Sequence, residues 1–341
     1  MKEIMRDLVS KRILYLNGED YDVSRILSSK SETVLKNIVS GYEYLFVDES
    51  QNIPEIGANL KLLVDTNPGI NVFVTGSASF DLRNKIGEPL TGRSIFFNLY
   101  PFSVDEISDD YISTLRQLPA FLVFGMYPQV FNANTDKRKK QILENIRNGY
   151  LLKDILQLDN LKDSLFVMNL LRLIAFQIGN DVSYNELASN LRTTVKTIQR
   201  YLELFEKTYI IFRLNGFSRN LRKEITKSPR YYYWDNGIRN SIISSFNPLD
   251  LRDDSGKLWE NFCISERIKK GHYDQSFTSY YYWRTYDQQE IDLIEESDST
   301  LKAFEFKWGD KEVKPPMAFR ENYTEAEFHT INRLNFYNFF K

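Results

Sequence analysis

The stretch Tyr44-Leu45-Phe46-Val47-Asp48-Glu49 decides how this chain is read. Four apolar residues follow one another with no polar alternation, and the run stops on two acids. A second run, Val72-Phe73-Val74, stops on Thr75-Gly76-Ser77. Short β-rich runs of this kind mark strands buried on both faces, as in a parallel α/β sheet. Between them Ile56, Leu60 and Leu63 recur at helical spacing, so Ile56 to Asp65 predicts a helix and the unit reads as strand–helix–strand. Further along, the pattern turns helical from about Ser103 to Leu158. Lys139 to Leu156 reads there as one long helix with Ile142, Ile146, Tyr150 and Leu151 on a face. Leu165 to Phe212 holds three helical stretches around a compact turn. After Pro229 the chain is strand-rich, with strands expected at Tyr231–Trp234, Ser279–Arg284, Ile291–Ile294 and Ala303–Trp308, and a helix from about Lys257 to Lys270 among them.

The 341 residues carry 44 Lys+Arg against 46 Asp+Glu, a formal net charge of −2. That balance excludes a histone-like coat of positive charge, so any nucleic-acid contact must be a local patch. A single cysteine, Cys263, excludes an internal disulfide and a multi-Cys zinc site. The two histidines, His272 and His329, lie far apart, which excludes a His-rich metal cluster and argues against a Ser-His-Asp triad. Both read as surface or core residues. No apolar run approaches the ~18 residues of a membrane span. The charged start, MKEIMRDLVSKR, has no apolar signal core, so the expected compartment is the cytosol.

An acid at the carboxyl end of a buried parallel strand is the Walker B pattern. Asp48 can reach a Mg²⁺ ion on a nucleotide phosphate, and Glu49 can polarise the attacking water. Thr75 and Ser77 end the second strand and place hydroxyls beside the same crevice, where ligands of open α/β sheets bind. A loop acid capping the next helix would produce the same short string.

The longer strings YLFVDESQNI, VFVTGSASFDL and GRSIFFNLYPFSVDEI resemble a group of prokaryotic AAA+ ATPases with a C-terminal domain of unknown function, family 4143. The resemblance rests on Gln51 after the acids, on Thr75-Gly76-Ser77, and on Gly92-Arg93 ahead of Leu99-Tyr100-Pro101-Phe102-Ser103. It continues through Gly125-Met126-Tyr127-Pro128, Tyr150 and Asp154-Ile155-Leu156 to Glu305-Phe306-Lys307. It implies ATP and Mg²⁺ as cofactors, with Asp48 on the ion and Arg93 as an arginine finger, and it leaves a homo-oligomer open. It also implies a phosphate loop, G-x-x-x-x-G-K-[ST], ahead of Asp48. No such string occurs: the glycines before Asp48 are Gly18 and Gly41, and neither precedes Lys-Ser/Thr. The expectation is that the first strand and its loop are missing and that ATP binding is weakened, because that loop's N–H groups cradle the phosphates.

Near the C-terminus stand Glu290-Ile291-Asp292-Leu293-Ile294 and Ala303-Phe304-Glu305-Phe306-Lys307. Residues i and i+2 of a strand share a face, so Glu305 and Lys307 project together while Phe304, Phe306 and Trp308 point to the core. Asp292 is expected on the neighbouring strand, across a polar turn at Glu295–Thr300. Two carboxylates and a lysine can hold Mg²⁺ and steady a developing phosphate charge. This is the spacing of the PD-(D/E)xK nuclease fold, and Glu260 matches the acid such folds carry on the preceding helix, making Glu260, Asp292 and Glu305 the metal candidates. The alternative is alternating charge on the wet face of an ordinary hairpin. The resemblance implies a restriction-endonuclease-like fold here.

Asp181 to Leu204 reads as two helices around a turn. Ser183 caps the first, with Tyr184, Leu187 and Ala188 inward; Thr193 or Thr194 caps the second, with Val195, Ile198 and Leu202 inward. Lys196, Thr197, Gln199 and Arg200 then face outward, residue types suited to a DNA groove, and Arg219, Arg222, Lys223, Lys227 and Arg230 follow. The segment resembles the winged-helix part of the same family; a packing module with a solvated basic face has the same pattern. Asp235, Gly237 and Arg239 read as structural, with Gly237 at a turn.

The sequence therefore predicts an α/β chain in four parts: a partial AAA+ parallel sheet lacking Walker A (1–104), a helical linker or lid (105–160), a winged-helix-like part (161–228) and a PD-(D/E)xK nuclease-like part (229–341). Three functions remain open: an ATPase relative with no membrane association that acts on nucleic acid, a Mg²⁺-dependent nuclease, and a silent binding module.

Overall fold

The computed structural model describes residues 1–76, 90, 92–108, 110–151, 163–218, 228–298 and 300–341; side chains are described outside 150–151. Ser77, Asp154-Ile155-Leu156 and the basic residues Arg219, Arg222, Lys223 and Lys227 lie outside this set. The chain forms two compact units, Met1–Asn98 and Leu99–Lys341.

The first unit contains α1 (Lys2–Asp7), β1 (Ile13–Asn17), α2 (Tyr21–Leu27), α3 (Glu32–Val39), β2 (Tyr44–Asp48), α4 (Ile56–Thr66) and β3 (Asn71–Val74). The three strands are parallel in the order β1-β2-β3. Parallel neighbours need crossovers, and α2, α3 and α4 supply them. Asp20 and Ser31 cap α2 and α3 with their side chains. One face of the sheet gives Leu45 and Val47 to a core with Leu27, Leu35, Ile56, Leu60 and Leu63. The other face is aromatic: Phe73 stacks on Phe46 at 4.8 Å and on Tyr44 at 6.4 Å. The expected strands and helix are all present, and only the middle strand is buried along its length.

The second unit begins with short α5 (Val104–Ile107), then α6 (Tyr111–Phe124), α7 (Pro128–Phe131) and α8 (Asp136–Asn145). The long helix expected from Lys139 starts earlier, under a Thr135 cap, and passes at Ile146 into a π-helical turn reaching Leu151. α9 (Ser164–Phe176), α10 (Tyr184–Asn190) and α11 (Val195–Lys207) follow. Then come β4 (Ile211–Gly216), β5 (Arg230–Tyr233), α12 (Asn236–Ile242), α13 (Ser255–Tyr273), β6 (Ser279–Arg284), β7 (Glu290–Ser297), β8 (Thr300–Phe306), α14 (Met317–Asn322), β9 (Glu327–Ile331) and α15 (Phe336–Phe340).

One mixed sheet, β5-β4-β6-β7-β8-β9, runs through this unit. Its strands come from both sides of the 228/229 division, and 105–160, 161–228 and 229–341 all fall within the one compact unit. The turn expected over Glu295–Thr300 is shorter, because β7 continues to Ser297. Glu295 is buried there and bonded by Arg267 Nε and Nη2 at 2.5 and 2.9 Å, which lets an acid occupy a strand interior.

Two motif strings far apart in sequence meet in this unit. Asp235 caps α12 by accepting from Ile238 N–H and also accepts from Met126 N–H at 2.7 Å. Gly237 is inside α12, not at a turn: a Cβ there would come within 1.9 Å of the Phe124 carbonyl oxygen. Arg239 donates to the Ala175 carbonyl and pairs with Asp254 at 2.5 Å. Their structural reading holds. Leu99 to Ser103 belongs to the second unit too; the buried pair Glu266–Lys269 on α13 grips it through Val104 N–H at 2.7 Å and the Phe102 carbonyl at 3.2 Å.

Candidate functional site

Two acidic constellations and one helical face carry the candidate residues. The first sits at the carboxyl edge of the small parallel sheet, where Asp48 is the last residue of β2. Thr75, just past the end of β3, donates its hydroxyl to Asp48 Oδ1. Tyr15 on β1 donates its hydroxyl to Oδ2 at 2.7 Å. These bonds, Thr75 first, hold the Asp48 carboxyl below the usual carboxylate range, and the same contact pushes the Tyr15 phenol up. Glu49 follows in a left-handed backbone conformation (φ 50°) and accepts from the Gln51 amide at 2.6 Å. Gly18 lies under this turn: a Cβ there would meet the Glu49 carbonyl oxygen at 2.5 Å.

Asp48 and Thr75 are thus together, with Glu49 beside them, and both Asp48 oxygens and one of Glu49 are already bonded within the chain. Tyr15 is the residue that sequence reasoning missed. Its signal is the register: Tyr15 pairs with Phe46, two residues before Asp48, so it lies on Asp48's side of the pleat. Arg93 is not brought to this edge. It pairs with Asp65 in the last turn of α4, at the amino end of β3.

The second constellation lies between α13 and the β7–β8 hairpin. The β6–β7 register slips there: Tyr281 pairs with Ile294 but Trp283 with Ile291, so β7 uses one extra residue around Asp292. A bulge re-aims side chains, and Asp292 Oδ2 accepts the Phe306 N–H at 2.9 Å. Glu305 on β8 accepts from the Lys307 ammonium at 2.6 Å through Oε1, while its Oε2 is buried without a hydrogen-bond partner. Glu260 on α13 is buried and accepts from Tyr232 at 2.8 Å and Lys257 at 3.0 Å.

Burial, then the charges of Glu260 and Glu305, drive the Asp292 carboxyl well above its ordinary range. Burial raises Glu305 as well, against the opposing pull of Lys307. Burial alone would lower the Lys307 ammonium, but the hydrogen bond and charge of Glu305, with Asp292 and Glu260, raise it, so it stays charged. The structure therefore brings Glu260, Asp292, Glu305 and Lys307 into one electrostatic neighbourhood. Among the described residues, no three His, Cys, Asp or Glu side chains are arranged to hold an ion. Their oxygens bond to separate donors: Tyr232, Lys257, Lys307 and the Phe306 amide. The all-oxygen donor set suits a hard divalent cation, and the unpartnered Oε2 is an open acceptor for one.

The helical face is as expected at its caps: Ser183 accepts from Glu186 N–H and Thr194 from Thr197 N–H. Leu187, Ala188, Ile198 and Leu202 are buried. Lys196, Gln199 and Arg200 are exposed, whereas Thr197 is half-buried and bonded to Thr194 at 2.9 Å. Arg230, expected in a basic run, is 1% exposed instead, pairs with Asp181 and Glu290 and stacks on Tyr282. It ties β5 into the sheet and does not face outward.

A parallel sheet with an acid at its carboxyl edge, followed by a larger α/β unit, is compatible with an AAA-type domain and a C-terminal extension. Residues 1–108 match the family model of the AAA domain, 115–249 that of domain of unknown function 8612, and 255–336 that of domain of unknown function 4143. The chain thus carries an AAA domain followed by a 4143 domain.

Among its relatives, uncharacterized protein MJ1544 of Methanocaldococcus jannaschii is 24% identical over 88% of this chain and 72% of its own length. Uncharacterized protein Rv2008c of Mycobacterium tuberculosis is 26% identical over 76% of this chain, which spans 58% of that relative. An uncharacterized Haemophilus influenzae protein is 23% identical over 93% of this chain and 80% of its own. A solved Vibrio cholerae protein, VC1899, aligns at a TM-score of 0.20, too low to support an argument. No helix among the described residues is long and apolar enough to cross a membrane.

Proposed function

We propose that this is a nucleotide-binding AAA-type protein, an ATPase relative, whose edge at Asp48 and Glu49 takes the Mg²⁺ end of ATP. The observation that supports it most is the Asp48–Thr75 bond across adjacent parallel strand ends, at the edge where such sheets seat their ligands. Carboxylate and hydroxyl oxygens suit Mg²⁺; when bound, the ion would neutralise phosphate charge. Tyr15 must release one Asp48 oxygen for this, and Glu49 must leave Gln51 to orient a water. The sequence holds no phosphate loop, so these residues alone bind weakly. Titrating a fluorescent ATP analogue with and without Mg²⁺ tests this. Weak, Mg²⁺-dependent binding that Asp48→Asn abolishes is expected; tight binding indifferent to Asp48→Asn would sink the reading.

A second reading has its own support in the open Oε2 of Glu305. We infer a cation-dependent nuclease site at Glu260, Asp292, Glu305 and Lys307. The three carboxylates would have to converge from their present donors to hold Mg²⁺ or Mn²⁺, which would supply Lewis-acid stabilisation of a phosphodiester. Glu305 would offer its second oxygen to that ion, and the Lys307 ammonium would steady negative charge growing on the phosphate. Lys196, Gln199 and Arg200, with Thr197 contributing least, would contact DNA. The test is Mn²⁺-dependent cleavage of labelled DNA and RNA; undiminished cleavage by Lys307→Ala contradicts the assignment.

A further inference from the structure

The proposed nuclease site has a neighbour that neither reading uses. Trp308, the residue after Lys307, forms one wall of a cavity of about 570 Å³ in the second unit, within the roughly 300–1,000 Å³ of small-ligand pockets. Phe124 from α6, and Phe246 and Pro248 from the loop after α12, form the other walls. Phe124 and Phe246 stack at 5.9 Å. Arg333 lies 5.2 Å from the Trp308 ring, and its Nε is buried without a hydrogen-bond partner.

The rim is basic. Asp136-Lys137-Arg138-Lys139-Lys140 opens α8 with four consecutive cations. Lys139 and Lys140 sit 5.2 and 5.7 Å from the Phe124 and Phe246 rings, and Lys137 and Arg138 are exposed. Aromatic walls beside a run of cations are the two parts of a single-strand nucleic-acid site: bases stack on rings and phosphates follow the charge. A duplex keeps its bases stacked on one another and cannot use the rings. Asp136 and Asp250 also line the cavity; their negative charge disfavours a phosphate inside and leaves the cavity to a base, with the phosphates outside on 137–140.

We propose that this cavity is a nucleobase subsite: a single-stranded nucleic acid seats one base against Trp308 and Arg333 and lays its phosphates beside Lys137–Lys140. The subsite stands apart from the nuclease reading; where both hold, single-stranded DNA or RNA is the substrate class.

Binding is measured without cleavage, in EDTA, with labelled oligodeoxythymidylate and oligouridylate on the full chain. Trp308 is the partly exposed tryptophan, while Trp234, Trp259 and Trp283 are each at most 6% exposed, so intrinsic fluorescence should be quenched on binding. Trp308→Leu should weaken binding by about tenfold or more. Lys137→Glu with Arg138→Glu, both on the surface, should weaken it further at low salt and flatten its salt dependence. Tighter binding by one oligomer decides between DNA and RNA. Wild-type affinity in both variants overturns the proposal, as does duplex or polyglutamate binding as tightly as the single strand. Groove-dependent binding with no cleavage under Mn²⁺ leaves this subsite standing and removes the nuclease reading; cleavage unaffected by the groove variants does the reverse.

Discussion

The two acidic sites of this chain are built on opposite terms. At the carboxyl edge of the first unit, each Asp48 oxygen has its own hydroxyl donor, and the carboxyl is held below its ordinary range. In the second unit three carboxylates share a largely buried neighbourhood with Lys257 and Lys307. Asp292 and Glu305 are pushed upward, and one oxygen lacks a donor. The first has both Asp48 oxygens satisfied; the second leaves an acceptor unsatisfied among like charges. A fold keeps such an unfavourable arrangement where something else repays it, and perturbed buried acids cluster at functional sites.

The largest effect expected from this contrast is on chemistry. Lys307→Ala should cut Mn²⁺-dependent cleavage about 10²–10³-fold, the cost of removing one preorganised charge-stabilising donor, with rates read on a labelled strand. A rate within twofold of wild type would erase the contrast. Next is stability. Asp292→Asn keeps an acceptor for the Phe306 amide but removes a buried group whose charged form is disfavoured, so the metal-free second unit should gain up to about 2 kcal/mol at pH 7 while losing activity. All four tryptophans lie within residues 99–341, so denaturation followed by tryptophan fluorescence reports on this unit. A loss of stability in Asp292→Asn would mean that the carboxylate is structural.

The pH dependence follows the same logic. Asp292, Glu305, Glu266 and Asp235 all have raised folded pKa values, with burial the leading cause. An acid raised on folding holds its proton more tightly in the folded chain. Its contribution is therefore favourable at low pH and declines as pH rises from about 4, the unfolded value, through the raised one. The metal-free second unit should melt at a lower temperature at pH 7 than at pH 5, and a melting temperature that climbs across this interval would contradict the burial account. Asp48 has the opposite sign: its contribution is present above about pH 4 and is lost as pH falls through its lowered value. The smallest effect belongs there. Thr75→Val should cost the first unit about 1 kcal/mol, the net worth of one hydrogen bond, read by circular dichroism; no change would show that the Thr75 contact is idle.

Much of the first unit was legible in the sequence because Tyr44 to Val47 has no polar interruption, and only a sheet interior accommodates such a run. Tyr15 was hidden because its partner is set by strand register, which short strings do not encode. In the second unit, Glu305-Phe306-Lys307 showed its alternation openly. The hairpin's true length did not show, because Glu295 reads as a turn residue until Arg267 from α13 is seen to neutralise it. The same holds for Tyr232: an apolar-looking member of Tyr231-Tyr232-Tyr233 becomes a donor to Glu260 only through the packing of α13 on β5. Gly237 read as a turn because sequence carries no trace of the Phe124 carbonyl that crowds it.

The contrast between the sites is tested most directly by calorimetric titration of Mn²⁺, without nucleotide, into the wild type, Asp48→Asn and Asp292→Asn. The account predicts binding that survives Asp48→Asn and disappears in Asp292→Asn. Binding that Asp48→Asn removes and Asp292→Asn leaves intact would contradict it.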